Sequence, residues 1–542
     1  MSSSPTSFIH SARLIAVWTL ASRVTGLVRD ILLNAAFGQG WVQDAFNFGF
    51  QIPNLFRRLF GEGALSAVFV PTFSQVLQRD GAPAAWSLLG RVLARLTIVL
   101  LVIALPIEAT LLACRLLRPL SEAGALQVLL TGVMLPFMVS ICLVALFSSL
   151  LNCLGVFGAP AAMPIVLNLC MIAGILSSSR WLGDDPRRRV IGVAVSVLAA
   201  GLLQLLLLWP ILRRAGVRMP WSLERGDDRL REMLAALIPV MLGQGVLALN
   251  SVIDSLICTT LSPGAAASGT ISLFGAVIDC PLRPGALTAI TNAQRLYQFP
   301  LGVLAISLAT AALPAFSRFA AAGDVAGLRG ALGRALRLAL FEGLPCGVML
   351  FVLAEPIVRL LFQYGHYTAD HSARAAAVLR WYGLGVAVFS LNQVVLRGFY
   401  SLKDTRTPMW IGIGAMLLNV SISLSLLWIP TVREQAFGIS TTISTLVGVC
   451  VGLWLLRGRM GGRVGARALA ASAARTLACT LAAAAAAAWL AARSGATGTA
   501  AERAIAVGVP LGAAVAAFLI VARMLRMEEL FWLTGREKAS VT

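Results

Sequence analysis

Charged residues are scarce in this sequence of 542 residues: they make up 13% of the chain, whereas 58% of the residues are hydrophobic. The mean hydropathy is +0.84. A soluble domain of this size exposes far more polar surface. The composition therefore excludes a soluble globular protein and predicts an all-α polytopic membrane protein.

Histidine is also rare, and cysteine lacks any regular pairing. The nine cysteines are scattered, mostly within apolar segments, and two of the three histidines, His366 and His371, share one polar loop. Neither residue type shows the spacing of a metal site, so the sequence predicts no metal, no cofactor and no catalytic centre. We interpret the cysteines as small hydrophobic residues, with a disulfide between Cys258 and Cys280 as a minor alternative.

Long apolar runs, by contrast, fill nearly the whole chain. A membrane-spanning helix needs about 20 apolar residues, and runs of that length predict about 14 spans. They fall near residues 13–37, 45–76, 92–114, 125–154, 159–179, 190–213, 232–261, 296–318, 333–362, 376–401, 409–429, 437–457, 473–492 and 503–524.

Basic residues exceed acidic residues by 44 to 24, and they lie mainly in connectors that follow even-numbered spans. The positive-inside rule assigns such connectors to the cytoplasm. With an even number of spans, both termini are then cytoplasmic. The arginines indicate topology rather than a basic stripe on a soluble segment, so nucleic acid is not an expected partner. The longest polar connector, residues 213–231, is too short to form a domain and is interpreted as a junction between two halves.

The first two spans carry charges that a bilayer core tolerates poorly, because each costs about 2.5 to 3.5 kcal/mol at a helix centre. Residues 21–71 hold seven of them: Arg23, Arg29, Asp30, Asp44, Arg57, Arg58 and Glu62. Arginines outnumber carboxylates here, and Arg295 at the start of the eighth span adds another. This excess predicts a polar cavity with an anionic ligand, and phosphate suits the planar arginine fork. The alternative, that the charges only pair with one another and hold the bundle together, stays open.

Helical spacing divides these charges into groups. Arg23 and Asp30 are seven residues apart and share one face of the first helix, which permits an internal ion pair. In the second span, Asp44, Arg58 and Glu62 fall on one stripe. Pro53 has no amide N–H to donate and is expected to bend this helix. A bent, polar helix next to a charged one suggests a moving gate.

Several segments in fixed order resemble one known family. SRVTGLVRD is followed by DAFNFGFQIPNLFRRLFGEGALSAVFVP, and later by QRLYQFPLGVLAISLATAALPAFS, LFQYGHYTAD and RGFYSLKDTRTP. Over roughly residues 10–455 the sequence is similar to the MurJ/MviN family of lipid II flippases, in the multidrug/oligosaccharidyl-lipid/polysaccharide exporter superfamily.

The resemblance implies two six-helix lobes around a central cationic cavity, followed by two C-terminal helices. The lobes would occupy residues 1–215 and 216–457, and the C-terminal helices with a cytoplasmic tail would occupy 458–542. The second lobe would contain an insertion near 262–292, either re-entrant or facing outward. The implied function is alternating access that moves undecaprenyl-diphosphate-linked peptidoglycan precursor from the cytoplasmic to the outer leaflet.

The resemblance also implies roles for individual residues. The diphosphate and its sugar would be bound by Arg23, Arg29, Arg57 and Arg295. Ion pairs or gating would involve Asp30, Asp44, Arg58 and Glu62. A sodium ion, proposed for some family members, would be held by oxygens of Asp254, Asn419, Thr441 and Thr445, although no second carboxylate lies near Asn419. Membrane potential acting on the cationic cavity is the other candidate energy source.

Two other classes compete with a lipid II flippase. A related flippase or exporter of other polysaccharide lipids or amphiphilic drugs is disfavoured by the dense SRVTGLVRD and NLFRRLFGEGA motifs. An enzyme acting on the same lipid would need a carboxylate pair or metal motif at the membrane surface, and the sequence shows neither. The expected location is the bacterial inner membrane. Expected partners are lipid II, membrane lipids and, as candidates, proteins of peptidoglycan synthesis or division.

Overall fold

A computed structural model of the protein describes residues 5–224, 228–264, 269–273, 276–462, 466–493 and 498–533. Nearly all of these residues are helical, which confirms the all-α polytopic class. The chain forms two compact units: Met1–Thr288 with Tyr364–Tyr367, and Ala289–Gln363 with Thr368–Thr542. The division at residues 215 and 457 that the resemblance implies stays a prediction.

The first unit contains nine α-helices, one π-helical segment and one β-hairpin among its described residues. The helices are α1 (Pro5–Phe37), α2 (Trp41–Phe56), π1 (Arg57–Ala64), α3 (Leu65–Arg79), α4 (Gly81–Leu117), α5 (Glu122–Met134), α6 (Phe137–Cys153), α7 (Gly158–Trp181), α8 (Pro186–Arg214) and α9 (Asp228–Thr260). The strands are β1 (Thr270–Leu273) and β2 (Ala276–Asp279), which pair antiparallel with Thr270 opposite Asp279. The predicted insertion therefore holds a short hairpin rather than another span.

Helix α10 (Ala286–Pro300) begins in the first unit and continues in the second. The second unit then contains π2 (Leu301–Ala305), α11 (Ile306–Ala321), α12 (Val325–Val352), α13 (Ala354–Phe362), α14 (Ala369–Ser401), α15 (Arg406–Leu426), α16 (Gln435–Arg459), α17 (Ala466–Arg493), α18 (Ala500–Met524) and α19 (Glu528–Leu533).

Eleven helical segments in the described part of the chain are long and apolar enough to cross a membrane. They coincide with predicted spans three to six and eight to fourteen. The three other predicted spans correspond to α1, to α2 through α3, and to α9. These three carry charged residues within their apolar segments.

Two of the spans change from α-helical to π-helical geometry soon after a proline. Pro53 lies four residues before π1, and Pro300 directly precedes π2. Proline removes one amide donor from the α-helical hydrogen-bond ladder. A π turn bonds residue i to residue i+5 and often occurs at functional sites. The bend expected at Pro53 is thus followed by a change of helical geometry.

Apolar packing holds each unit together. In the first unit Phe69 and Phe73 stack with ring centroids 5.2 Å apart, and both are fully buried. In the second, Phe341 of α12 contacts Phe518 of α18 at 5.1 Å. The alanines Ala483 and Ala487 of α17 are buried in the same cluster. Small residues let these C-terminal helices approach α12 closely.

The polar loop with two histidines has a structural role. Thr368 accepts a hydrogen bond from the backbone N–H of His371 at 3.4 Å, while His371 Nδ1 accepts from the Thr368 N–H at 3.2 Å. This reciprocal cap begins α14. Neither Cys258 nor Cys280 is in a disulfide, so the alternative pairing is wrong.

Candidate functional site

Arg29 joins α1 to α7 through a buried polar network. Its Nε and Nη2 donate to Asp30 Oδ1 at 2.9 and 2.6 Å. Its Nη1 donates to Asn168 Oδ1 at 2.9 Å. The Asn168 amide in turn donates to the Ser22 carbonyl at 3.1 Å and to Thr25 Oγ1 at 3.2 Å. The guanidinium is therefore held by a carboxylate and an amide that also fix the two helices against each other.

The ion pair within α1 joins Asp30 to the adjacent Arg29. A shared helical face permits an ion pair of Asp30 with Arg23, and the structure shows that the Asp30 carboxylate lies 2.6 Å from Arg29. The long arginine side chain bends around the helix to reach its neighbour, since buried Asn168 holds its other end. Arg23 itself is accessible. Face periodicity places Cβ atoms correctly, but it does not decide where a flexible side chain of this length ends.

Asp44 near the start of α2 caps the start of α10. Its carboxylate is 5% exposed and accepts bonds from the backbone N–H groups of Gly285 and Thr288, both at 2.8 Å. The Thr288 hydroxyl donates to the same carboxylate at 2.7 Å and accepts from Asn47 at 3.1 Å. A carboxylate at a helix N-terminus satisfies orphan N–H groups and is stabilised by the helix dipole. Asp44 therefore fixes the helix that carries Arg295.

The turn between α1 and α2 is packed too tightly for side chains. Gly285 has a φ of +85°, and a Cβ there would lie 2.3 Å from the Gln39 carbonyl oxygen. A Cβ on Gly365 would lie 2.4 Å from the carbonyl oxygen of Ala35. Tyr367 is buried and donates its hydroxyl to Gln39 Oε1 at 3.2 Å. Three distant chain segments thus meet around this turn.

The arginines of the second span lie on π1. Arg57 is half-buried and its Nε donates to Asn54 Oδ1 at 3.1 Å, whereas Arg58 is exposed. The predicted stripe of Asp44, Arg58 and Glu62 assumed a continuous α-helix. The helix changes to π-helical geometry at Arg57, so the α-helical spacing on which the stripe rests holds only up to residue 56. The Glu62 side chain lies outside the described residues.

Arg295 lies in the second unit, seven residues after the Asp44 cap, and is exposed. Its neighbours anchor α10 to α14. Gln294 donates to the Tyr382 hydroxyl at 3.2 Å, and Tyr297 stacks on Tyr382 with centroids 4.8 Å apart. Because the flanking side chains hold the helix, the Arg295 guanidinium projects from a fixed support.

The four candidate cation ligands divide between the units. Asp254 lies in the first unit, is 4% exposed and accepts from Asn250 at 3.3 Å. In the second unit, Asn419 donates to Ser440 at 3.2 Å and to Thr441 at 3.0 Å. The Thr445 hydroxyl donates to the Thr441 carbonyl at 2.7 Å. Among the described residues no group of three or more His, Cys, Asp or Glu side chains is placed to hold a metal ion.

Sequence reasoning missed three residues of this site. Asn168 is a single amide in the apolar stretch PIVLNLCMI, and that isolation could have identified it. Gly285 and Thr288 gave no comparable signal, because they are 241 and 244 residues from Asp44. Only the folded chain brings them to the carboxylate.

Solved structures place this fold in a class. One described as the inward-facing conformation of a multidrug resistance MATE family transporter of the MOP superfamily matches with a TM-score of 0.63 at 14% identity, over 82% of this chain and 98% of that chain. Another, described as lipid II flippase MurJ in an inward closed conformation, matches with a TM-score of 0.73 at 20% identity, over 95% of this chain and 99% of that chain. This chain therefore shares its fold with these two solved proteins.

Sequence comparison identifies the family. The family model described as lipid II flippase MurJ matches residues 33–506. A probable lipid II flippase MurJ of Rhizobium tropici is 33% identical over 431 residues, which cover 78% of this chain and 76% of that protein. The chain belongs to the MurJ family. The matched region contains Asp44, Arg57 and Arg295, while the charges of α1 precede it.

Proposed function

We propose that this protein moves lipid II, a polyprenyl-diphosphate-linked disaccharide peptide, from the cytoplasmic to the outer leaflet of the bacterial inner membrane. The observation that carries the proposal is the family match over residues 33–506. A flippase makes and breaks no covalent bond of its cargo, so no catalytic group is required. The polyprenyl tail stays in lipid throughout, and only the polar head needs a protein environment.

A diphosphate head requires cationic partners inside the membrane. Arg57 on π1 and Arg295 on α10 are assigned to the diphosphate and its sugar, with Arg23 nearby. Arginine offers two parallel charge-assisted hydrogen bonds, which suits a phosphate better than lysine does. Arg29 is the third arginine assigned to this contact, and its nitrogens bind Asp30 and Asn168 within the α1–α7 network.

The Asp44 cap is assigned a gating role. It ties the first turn of α10 to the start of α2 through three hydrogen bonds of 2.7 to 2.8 Å. Alternating access requires α10 to change its position during the cycle. Breaking and re-forming this cap gives the helix two defined positions, and the buried carboxylate favours the bonded one.

The energy source is either membrane potential or sodium. Potential acting on one charge is worth about 2.3 kcal/mol per 100 mV. A sodium site would use Asp254, or the oxygens of Asn419, Thr441 and Thr445. Transport in sodium-free vesicles with an imposed potential separates the two: continued flipping supports potential, and flipping that returns only with added sodium supports the ion.

Orientation and partners complete the proposal. The distribution of arginines among the connectors supports cytoplasmic termini. Proteins of peptidoglycan synthesis or division are candidate partners, because they consume the precursor at the outer leaflet. Accessibility of single cysteines introduced at the two termini, probed in intact cells and in opened cells, tests the orientation.

Depletion of the resident flippase in a bacterium tests the central proposal. Expression of this chain is expected to restore growth and to deliver lipid II to the outer leaflet, where an externally added enzyme can cleave it. The protein must be detected in the membrane fraction in parallel. A cell that contains the protein but keeps its lipid II inaccessible from outside would overturn the proposed function.

A further inference from the structure

Glu342 of α12 is a carboxylate inside an apolar segment. It is the one charged residue between positions 338 and 354 in the sequence LALFEGLPCGVMLFVLA. It lies ten residues before the end of α12 at Val352, a rise of about 15 Å along the helix. This depth places it well inside a hydrocarbon core of about 30 Å. An ionisable residue at such a depth is a candidate functional site.

This carboxylate has no protein partner. Its Oε2 atom is buried without a hydrogen-bond donor, and no ion pair reaches it within the described part of the chain. Arg337, five residues earlier, is occupied elsewhere: its guanidinium binds Glu528 at 2.9 Å and Glu529 at 2.7 Å. Glu342 therefore differs from Asp30 and Asp44, whose carboxylates each accept bonds from the protein.

The helices around Glu342 supply no charge at its level. Gly343 faces Ala387 and Ser390 of α14, and the Ser390 hydroxyl donates to its own helix at Val386. Phe341 faces Phe518 of α18. Two thiols lie near it: that of Cys346, one turn along α12, and that of Cys479 of α17, which is buried in one cluster with Phe341. Neither thiol can neutralise a carboxylate.

The π2 segment packs beside α12 at the same height. Helices α11 and α12 form an antiparallel pair around the turn at residues 322–324. Ala305, the last residue of π2, lies 17 residues before this turn, and Glu342 lies 18 residues after it, so the two are at similar heights. Segment π2 contacts both α12 and α14. Pro345 also removes the amide N–H that would bond the Phe341 carbonyl within α12. Two irregular backbone segments thus adjoin the carboxylate.

We propose that Glu342 is a proton-binding site of the second unit. A hard metal cation needs several oxygen ligands at once, and the side chains one turn away on α12 are those of Leu338 and Cys346. A proton is the one cation that a single carboxyl group can hold alone. The neutral acid also avoids placing an unpaired charge in an apolar environment.

This site gives the second unit a group that changes charge without a bound metal. Release of the proton requires water to reach Glu342, and a shift of π2 toward an α-helical ladder would alter the packing beside it. The link from this proton to transport rests on the proposed flippase function, whereas proton binding itself does not. The two can be tested separately.

Infrared spectroscopy of the full chain in lipid nanodiscs tests proton binding directly. The carbonyl stretch of a protonated carboxyl group is expected to persist as the pH is raised from about 5 towards 8 or 9, the range found for buried glutamates. Glu342→Gln is expected to remove that band, and Glu342→Asp to shift it. Glu355→Gln is the control, since Glu355 is paired with Arg359 at 2.6 Å and partly exposed. It should leave the band unchanged.

The proposal is overturned if Glu342→Gln gives the same spectrum as the unmodified protein and Glu342→Asp neither loses nor shifts a band. That result would show that the Glu342 carboxylate is ionised. The pH profile of lipid II flipping in vesicles then tests the coupling: Glu342→Gln is expected to flatten it. If the unmodified protein flips no lipid II while the band is present, the proposed function fails and the proton site stands. If the unmodified protein flips lipid II but shows no such band, the proposed function stands and the proton site fails.

Discussion

The span from α2 through α3 and the span from α10 through α11 both contain a π-helical segment soon after a proline, but only the first of these segments contains charged residues. Each changes to π-helical geometry within four residues of a proline. In the first, π1 has the sequence RRLFGEGA and carries the charges itself; in the second, π2 has the sequence LGVLA, and Arg295 lies one turn and more before it. The irregular geometry therefore does not depend on charge. Proline weakens the helical ladder in both spans, whereas only the first of them has arginines in its π-helical segment.

The two spans are also joined at their beginnings. Asp44 of the first accepts the backbone N–H groups that open the second. Asp44 thus caps the helix on which Arg295 lies. If the two spans play equal parts in binding, loss of either arginine should have the same large effect, whereas loss of the cap should act on stability.

Removing either arginine should stop transport. Arg57→Ala or Arg295→Ala is expected to lower lipid II flipping at least tenfold, because a charge-assisted hydrogen bond contributes about 1.5–3 kcal/mol and about 1.4 kcal/mol is a factor of ten. Lysine at either position should restore only part of the rate, since it lacks the planar fork. Arg58→Ala, on the exposed neighbour, serves as the control and should cost less. Equal losses for Arg57→Ala and Arg58→Ala would break the assignment.

Removing the Asp44 cap should lower the stability of the protein, because the start of α10 is no longer bonded to α2. Asp44→Ala leaves the N–H groups of Gly285 and Thr288 without their acceptor and is expected to cost about 2 kcal/mol or more in stability. The matched control is Asp324→Ala, which removes an exposed cap that accepts from Gly327 at 2.8 Å. That change should cost about 1 kcal/mol. Thermal unfolding of the detergent-solubilised protein measures both; similar losses would contradict a special role for Asp44.

Adding a methyl group at Gly285 tests how closely this residue must pack against the carbonyl oxygen of Gln39. Gly285→Ala introduces a Cβ 2.3 Å from the Gln39 carbonyl and a left-handed backbone strain of about 1–3 kcal/mol. Gly269→Ala has the same kind of strain at a φ of +61°, but nothing lies within 4 Å of its Cβ. The difference between the two variants in unfolding temperature isolates the contact. No difference would mean that the α1–α2 turn can move away at little cost.

The ion pair that anchors the C-terminal helix α19 should not depend on changes made in either of these two spans. Burial alone would raise the pKa of Glu529, but hydrogen bonds from Ser472, from its own backbone N–H and from Arg337 outweigh burial and lower that pKa below its usual 4.5. A lowered pKa gives stability that is present above the unfolded value and is lost as the pH falls through the folded value.

Acid should therefore release α19 from α12. The unmodified protein is expected to be more stable than Glu529→Gln near neutral pH, and this difference should vanish as the pH falls through the lowered pKa of Glu529, as measured by thermal unfolding across pH. Arg57→Ala should show the same acid-dependent loss as the unmodified protein. A Glu529→Gln variant with equal stability at neutral pH would show that the anchor contributes nothing.

Much of the fold follows from the sequence. The apolar runs predicted the spans because the thickness of a bilayer fixes the length of a helix. Eleven of them appear as apolar spans, and α1, α2 through α3, and α9 occupy the positions of the others. The stripe of Asp44, Arg58 and Glu62 assumed a constant number of residues per turn, and the change to π-helical geometry at Arg57 removes that assumption. The pairing of Asp30 with Arg29 was missed for a related reason: spacing locates backbone positions, not the ends of long side chains.

Hydrophobicity and charge are local properties of the chain, so the class of this protein, its membrane spans and its intramembrane charges can all be read from the amino-acid sequence. Which of those charges find a partner depends on the folded chain. Asp44 found its donors more than 240 residues away, and Arg29 found Asn168 at a separation of 139. Glu342 found none among the described residues. Hydrogen bonds act only over about 3 Å, so their partners are set by packing between distant segments.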